Sequence, residues 1–121
     1  MAIRTADTIR SAFGELLDGE GFAIKGKWPR WSLERSIGGH TDKVELLCEP
    51  LPGQDRDLRR MNVNFAVRHP RTGRDVWMNR PGEEWFEYGD EARLREELNS
   101  CLSRIFVEVL PWMERMRSEL G

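Results

Sequence analysis

Apolar residues recur along this chain with two different periods. Ile9, Ala12, Phe13, Leu16 and Leu17 fall at i, i+3, i+4, i+7 and i+8, which is one face of a helix over residues 6–17. Thr5 is placed to cap it, and Asp7 suits its first turn. The glycines of Asp18-Gly19-Glu20-Gly21 close the helix.

The period then drops to two. Phe22, Ala23 and Ile24 begin a strand that Pro29 is expected to interrupt, giving an edge or a break. Trp31, Leu33, Arg35 and Ile37 alternate with Ser32, Glu34 and Ser36, and Val44, Leu46 and Cys48 alternate with Glu45, Leu47 and Glu49. Residues 38–42 lie between these runs and read as a turn, so the pair forms an antiparallel hairpin. Residues 50–57 read as a surface loop. The clearest strand follows, with Met61, Val63, Phe65 and Val67 facing one way and Arg60, Asn62, Asn64, Ala66 and Arg68 the other. A turn at 69–74 leads to a short strand at 76–78 that pairs back. Residues 83–88 are ambiguous, anchored by Trp85 and Phe86.

The helical period returns after Asp90, a good N-cap. Leu94, Leu98, Cys101, Leu102, Ile105, Val109, Trp112, Met113 and Met116 keep helical spacing. Pro111 removes a hydrogen bond and crowds the preceding turn, so a kink is expected near residues 107–110.

These elements predict an α+β fold in a single domain over residues 1–121. An antiparallel sheet of about four or five strands carries an N-terminal helix and a kinked C-terminal helix on one face. Phe13, Leu16, Leu46, Val63, Phe65, Leu98, Leu102 and Ile105 are the expected core. The other face, with Ser32, Glu34, Asn62, Asn64 and Arg68, is left polar and exposed, or used for binding.

Composition supports a folded chain. Of 121 residues, 39% are hydrophobic and 33% charged, which fits a soluble domain with a charged surface and not a disordered one. No apolar run is long enough for a membrane helix, and the first residues lack a secretory pattern, so a cytoplasmic location is expected. Cys48 and Cys101 lie far apart among apolar neighbours and read as reduced, buried thiols.

The net charge of -2 gives no general attraction to nucleic acid, but its distribution is uneven. Residues 55–80 hold seven arginines against three aspartates, and residues 83–120 hold ten acids against five arginines.

Familiar catalytic patterns are missing. Gly19-Glu20-Gly21 follows a helix and does not open one, so it is no dinucleotide fingerprint. There is no Gly-x-Ser-x-Gly elbow and no His-Glu-x-x-His. His40 and His69 fall in predicted turns and read as solvated. Glu83-Glu84 and Glu96-Glu97 are sequence neighbours that do not face each other in a helix. The expectation is no enzyme, no cofactor and no metal.

The tryptophans carry the remaining signal. Trp28, Trp31, Trp77 and Trp85 lie in or beside the sheet region. With Arg30, Arg60, Arg68, Arg71 and Arg74 they fit a base-stacking surface. They also fit a protein interface anchored by Trp and Arg, or ordinary packing with arginines stacked along the rim. Trp28 is the one expected to be exposed, because Pro29 fixes it in an irregular segment. The candidate partner-binding residues are Trp28, Arg30, Arg60, Arg68, Arg71, Arg74 and Trp77.

The helix running into Gly21-Phe22, the arginine-bearing strand, the Val63-x-Phe65 strand and the closing helix with Leu110-Pro111-Trp112 resemble a family of small bacterial domains of unknown function. Ala23-Ile24-Lys25-Gly26-Lys27 departs from the basic run usual after Gly-Phe in that family. The resemblance implies no catalytic residues and, by analogy, a toxin-neutralising partner. The functional expectation is a non-enzymatic protein-binding domain, an immunity or accessory factor for a bacterial toxin or enzyme. The alternatives are a nucleic-acid-binding module using residues 56–80, and an enzyme with an unfamiliar site.

Overall fold

The computed structural model describes residues 4–51, 58–79 and 82–120. Helices α1 (Thr5–Ala12) and α2 (Gly14–Asp18) precede β1 (Ala23–Lys27), β2 (Arg30–Ile37), β3 (His40–Pro50), β4 (Arg59–Arg68), β5 (Asp75–Trp77) and β6 (Trp85–Tyr88). Helix α3 (Glu91–Arg104), a π-helical turn (Ile105–Val109) and α4 (Leu110–Leu120) close the chain as one joined, slightly kinked helix. The strands form an antiparallel sheet in the order β1-β2-β3-β4-β5, with β6 also paired to β4. The fold is α+β, with both helical ends packed on one sheet face, as the two apolar periods require.

The core lies between that face and the helices. Trp31, Leu33, Val44, Leu46, Met61, Phe65 and Val67 of the sheet meet Ile9, Phe13, Leu16, Leu94, Leu98, Ile105, Val109 and Met113. Val63 and Leu102, expected in the core, pack against it half-buried.

Several local expectations are corrected. The first helix is broken at Phe13, whose φ of -100° and ψ of 22° turn it inward to full burial. Thr5 is not the cap: Arg4 holds that position without a side-chain bond, and the Thr5 hydroxyl lies 3.4 Å from the Tyr88 hydroxyl. Pro29 does interrupt the run, and β1 is an edge strand as expected; the interruption is the β1–β2 turn, where cis Trp28-Pro29 sets Lys27 opposite Arg30.

The β2–β3 turn is two residues, not five. Gly38 (φ 57°) and Gly39 (φ 85°) both take the left-handed conformation that tight hairpin turns need. His40 therefore starts β3 opposite Ile37 and is buried, as is Asp42 two residues on. Asp42 is fully enclosed and accepts from Arg35 Nε at 2.9 Å and from Arg117 on α4. This ion-pair cluster fastens the last helix to the sheet.

The outer edge of β4 is shared. Trp77 of β5 pairs with Ala66, and Trp85 of β6 pairs with Asn62. Eight residues thus bridge what four residues of β4 span, so β5 and β6 are one strand interrupted by an excursion. Asn79 fills the gap: its Oδ1 accepts from the Phe65 N–H at 3.0 Å, and its Nδ2 donates to the Val63 carbonyl at 3.0 Å. Pro50 ends β3, and residues 52–57 of the predicted loop lie outside the described residues.

The kink near Pro111 is realised as the π turn. Cys101, Ile105, Val109 and Met113 recur every four residues, and at 3.6 residues per turn each step overshoots by about 40°. A wider turn over residues 105–109 keeps Ile105, Val109 and Met113 facing the core, where all three are buried. Pro111, lacking an N–H, leaves an upstream carbonyl without its usual donor at the same place.

Candidate partner-binding face

The sheet face away from the helices is formed by alternate residues of β1–β4. Across it run Glu34, Lys43, Ala66 and Trp77 in one row, then Ser32, Glu45 and Asn64, then Arg30, Leu47, Asn62 and Trp85. The floor is closed. Asn62, Asn64 and Ala66 are fully buried, although no helix covers them.

The excursion between β5 and β6 is what closes it. Asn62 donates to the Glu84 carbonyl and accepts from Gly82 N–H at 2.8 Å and from the Asn64 amide. Asn64 Oδ1 in turn accepts from Asn79 Nδ2 at 3.2 Å. Each buried carboxamide is thereby hydrogen-bonded, as burial of polar groups demands. Trp85 rests on the Arg60 guanidinium, 4.1 Å from its ring centre, and donates to the Gly82 carbonyl at 2.8 Å.

Charges on this face are paired across strands. Lys43 Nζ lies 3.1 Å from Asp75 and 3.8 Å from Glu45, and 5.6 Å from the Trp77 ring centre. Its side chain is only 12% exposed. Glu34 meets Lys25 at 3.2 Å and the Ser32 hydroxyl at 2.8 Å. Partial burial pushes the Glu34 carboxyl upward, but the Ser32 hydroxyl and the Lys25 ammonium outweigh it and hold the group below its ordinary value.

The seven candidate residues do not form one cluster. Arg30, Arg60, Arg68 and Trp77 share the helix-free face, but Arg60 and Arg68 are separated by eight residues of β4, about 27 Å of strand. Both are ion-paired, Arg60 with Glu49 and Arg68 with Asp75 at 3.1 Å. Arg71 and Arg74 lie exposed in the β4–β5 turn beyond Arg68. Trp28 is exposed, as expected, at 43%, but it belongs to the opposite end and packs edge-on to Trp31 on the helix side. Arg56 and Arg80, inside the arginine-rich segment, lie outside the described residues.

Sequence reading missed three participants. Trp85 sat in an ambiguous segment, and no local signal marks it as the cross-strand neighbour of Asn62. Lys43 fell next to a turn drawn too wide. Arg59 is a core-side residue: its guanidinium lies 5.3 Å from the Trp28 ring centre.

Among the described residues, neither cysteine is activated as a nucleophile. Burial pushes the Cys48 thiol up to about 11 and the Cys101 thiol up to about 12, and the Tyr88 phenol is raised for the same reason. Comparison with family models, curated proteins and solved structures finds no match to this chain.

Proposed function

We propose that this chain is a non-enzymatic domain that binds another protein through its helix-free sheet face. The observation that carries this reading is the combination of two half-buried tryptophans, Trp77 and Trp85, with a floor of fully bonded asparagines and pre-paired charges. Aromatic anchors amid polar groups already held in place are what a protein interface uses. The role as an immunity or accessory factor is the form this reading takes under the family resemblance.

A nucleic-acid surface is the weaker reading. It needs arginines free to neutralise phosphates, and on this face Arg60 and Arg68 are ion-paired to carboxylates. No helix among the described residues is long and apolar enough to cross a membrane.

Site-specific photocrosslinking tests the proposal. A photoreactive residue at Trp77 or Trp85 should yield one discrete protein adduct in a lysate of the native host. The same residue at Val107, 75% exposed on the helical side, should not. Adducts with nucleic acid, or equal adducts from all three positions, would overturn the reading.

A further inference from the structure

A second feature, independent of the sheet face, lies where the core opens between the first turn of α1 and the end of the sheet. A cavity of about 330 Å³ is lined by Thr5, Ala6, Trp28, Trp31 and Arg59. That is near the lower end of small-ligand sites, roughly 300–1,000 Å³, so it suits a single-ring molecule. Two indoles wall it, Trp28 and Trp31, with centres 6.1 Å apart and planes at 72°.

Among the described residues, the charged group in its lining is Arg59. Arg59 Nη1 is buried and, among the described residues, has no hydrogen-bond partner. Leaving a charged donor buried and unmatched is costly, more so than for a neutral group. The guanidinium carbon lies 5.3 Å from the Trp28 ring centre, and Arg59 lines the cavity together with that indole. Among the described residues, the Tyr88 hydroxyl, donating to Cys48 Sγ at 3.6 Å, and the Cys48 thiol both feel the Arg59 charge.

The first turn of α1 adds amide dipoles of the same sign, offset in part by the exposed Asp7 carboxylate in that turn. Arg4 offers no side-chain cap, and the Thr5 hydroxyl is turned to Tyr88. The amide groups at the start of α1 therefore lack an acceptor from the cap, and their end of the helix favours negative charge.

We propose that this cavity binds an aromatic carboxylate, with the carboxylate on the Arg59 guanidinium and the ring against the wall that Trp28 and Trp31 form together. A planar guanidinium matches a carboxylate with two parallel hydrogen bonds, and the indoles supply the apolar walls. The oxyanion would complete Arg59 and face the start of α1 together.

Fluorine-detected NMR with 4-fluorobenzoate tests the assignment on the intact protein. Saturable binding is expected, with no comparable binding of 4-fluorobenzyl alcohol or 4-fluorobenzylamine. Arg59→Gln should weaken binding at least tenfold, and Trp28→Ala should weaken it as well. Circular dichroism checks that each variant is folded. Trp28 stands on an exposed turn, so Trp28→Ala keeps the test decisive if Arg59→Gln fails to fold. Absence of saturable binding, equal binding of the alcohol or amine, or unchanged affinity in folded Arg59→Gln would overturn the proposal. Displacement of the probe by inorganic phosphate as readily as by benzoate would equally overturn it, since the indole walls would then contribute nothing.

Discussion

The side-chain amide of Asn79 bonds the main chain of Phe65 as a neighbouring strand would. Its Oδ1 takes the Phe65 N–H, while its Nδ2 serves the Val63 carbonyl two residues away. One side chain thus bridges the interruption between β5 and β6, and through Asn64 it ties the sheet edge to the buried floor of the helix-free face. Asn79→Ala would leave two main-chain groups of β4 unmatched, at about 1–3 kcal/mol for each buried group. Urea unfolding should show the loss, and Asn79→Asp, which keeps the acceptor and removes the donor, should fall between wild type and Asn79→Ala.

Phe65 lies where the sheet meets α3, 1% exposed, with the Arg104 guanidinium 5.7 Å from its ring centre. Phe65→Ala should cost about 3–5 kcal/mol through lost burial and the cavity it leaves. An equilibrium denaturation curve with an unchanged slope and a lower midpoint is the expected result.

Asp42 joins β2, β3 and α4 through Arg35 and Arg117. Asp42→Ala would leave the nearly buried Arg117 guanidinium without its carboxylate and Arg35 with Glu20 alone at 3.4 Å, and breaking a buried pair from one side costs about 3–5 kcal/mol. Arg117→Ala should cost less, because Arg35 still pairs with Asp42. A double-mutant cycle on Asp42 and Arg117 should give a coupling well above that of an exposed pair such as Arg95–Glu91.

Both thiols should be inert in the native protein. At a given pH, raising Cys48 from 9.0 to about 11 leaves about a hundredfold less thiolate than in a free thiol. Cys101, up at about 12, should be slower still. Titration with a disulfide reagent at pH 8 should detect no fast thiol until urea is added, then two. For these raised groups the contribution to stability is full below the unfolded value near 9 and is lost as pH rises towards 11–12. Stability of wild type relative to a Cys48→Ala, Cys101→Ala variant should therefore fall above pH 9.

Nucleic acid should bind only in the generic non-specific range, roughly 10⁻⁴–10⁻⁶ M at physiological salt. Fluorescence anisotropy with single- and double-stranded DNA and RNA checks this. Nanomolar binding abolished by joint replacement of Arg68, Arg71 and Arg74 would instead favour the nucleic-acid reading.

The layered architecture was legible because both periods in the chain are strong. Stripes such as Leu94–Leu98 and alternation such as Met61–Val63–Phe65 each allow one buried face. What the pattern did not reveal depends on contacts between distant residues. His40 and Asp42 are polar, and local reading placed them in a turn; their burial follows from a two-glycine hairpin and from Arg117, 75 residues further on. Asn62 and Asn64 read as solvent-facing, because the loop that covers them has no periodic signature. The seven candidate site residues share a chemical type and not a place, and their dispersal follows from strand length. Arg60 and Arg68 share a face only at its two ends.

The interruption between β5 and β6 also bears on what this sheet refuses. A long unpaired strand margin invites another chain to add to it. On one margin here stand a three-residue and a four-residue strand with a gap between them. On the other lies β1, with Lys25 and Lys27 flanking Gly26, whose φ of 107° and close approach to the Arg30 carbonyl leave no room for a side chain. Both margins are thus poor templates for lengthening the sheet, whether by a second copy or by an extended peptide. What this sheet offers outward is then side chains, which differ from residue to residue, and not a backbone that any sequence could match.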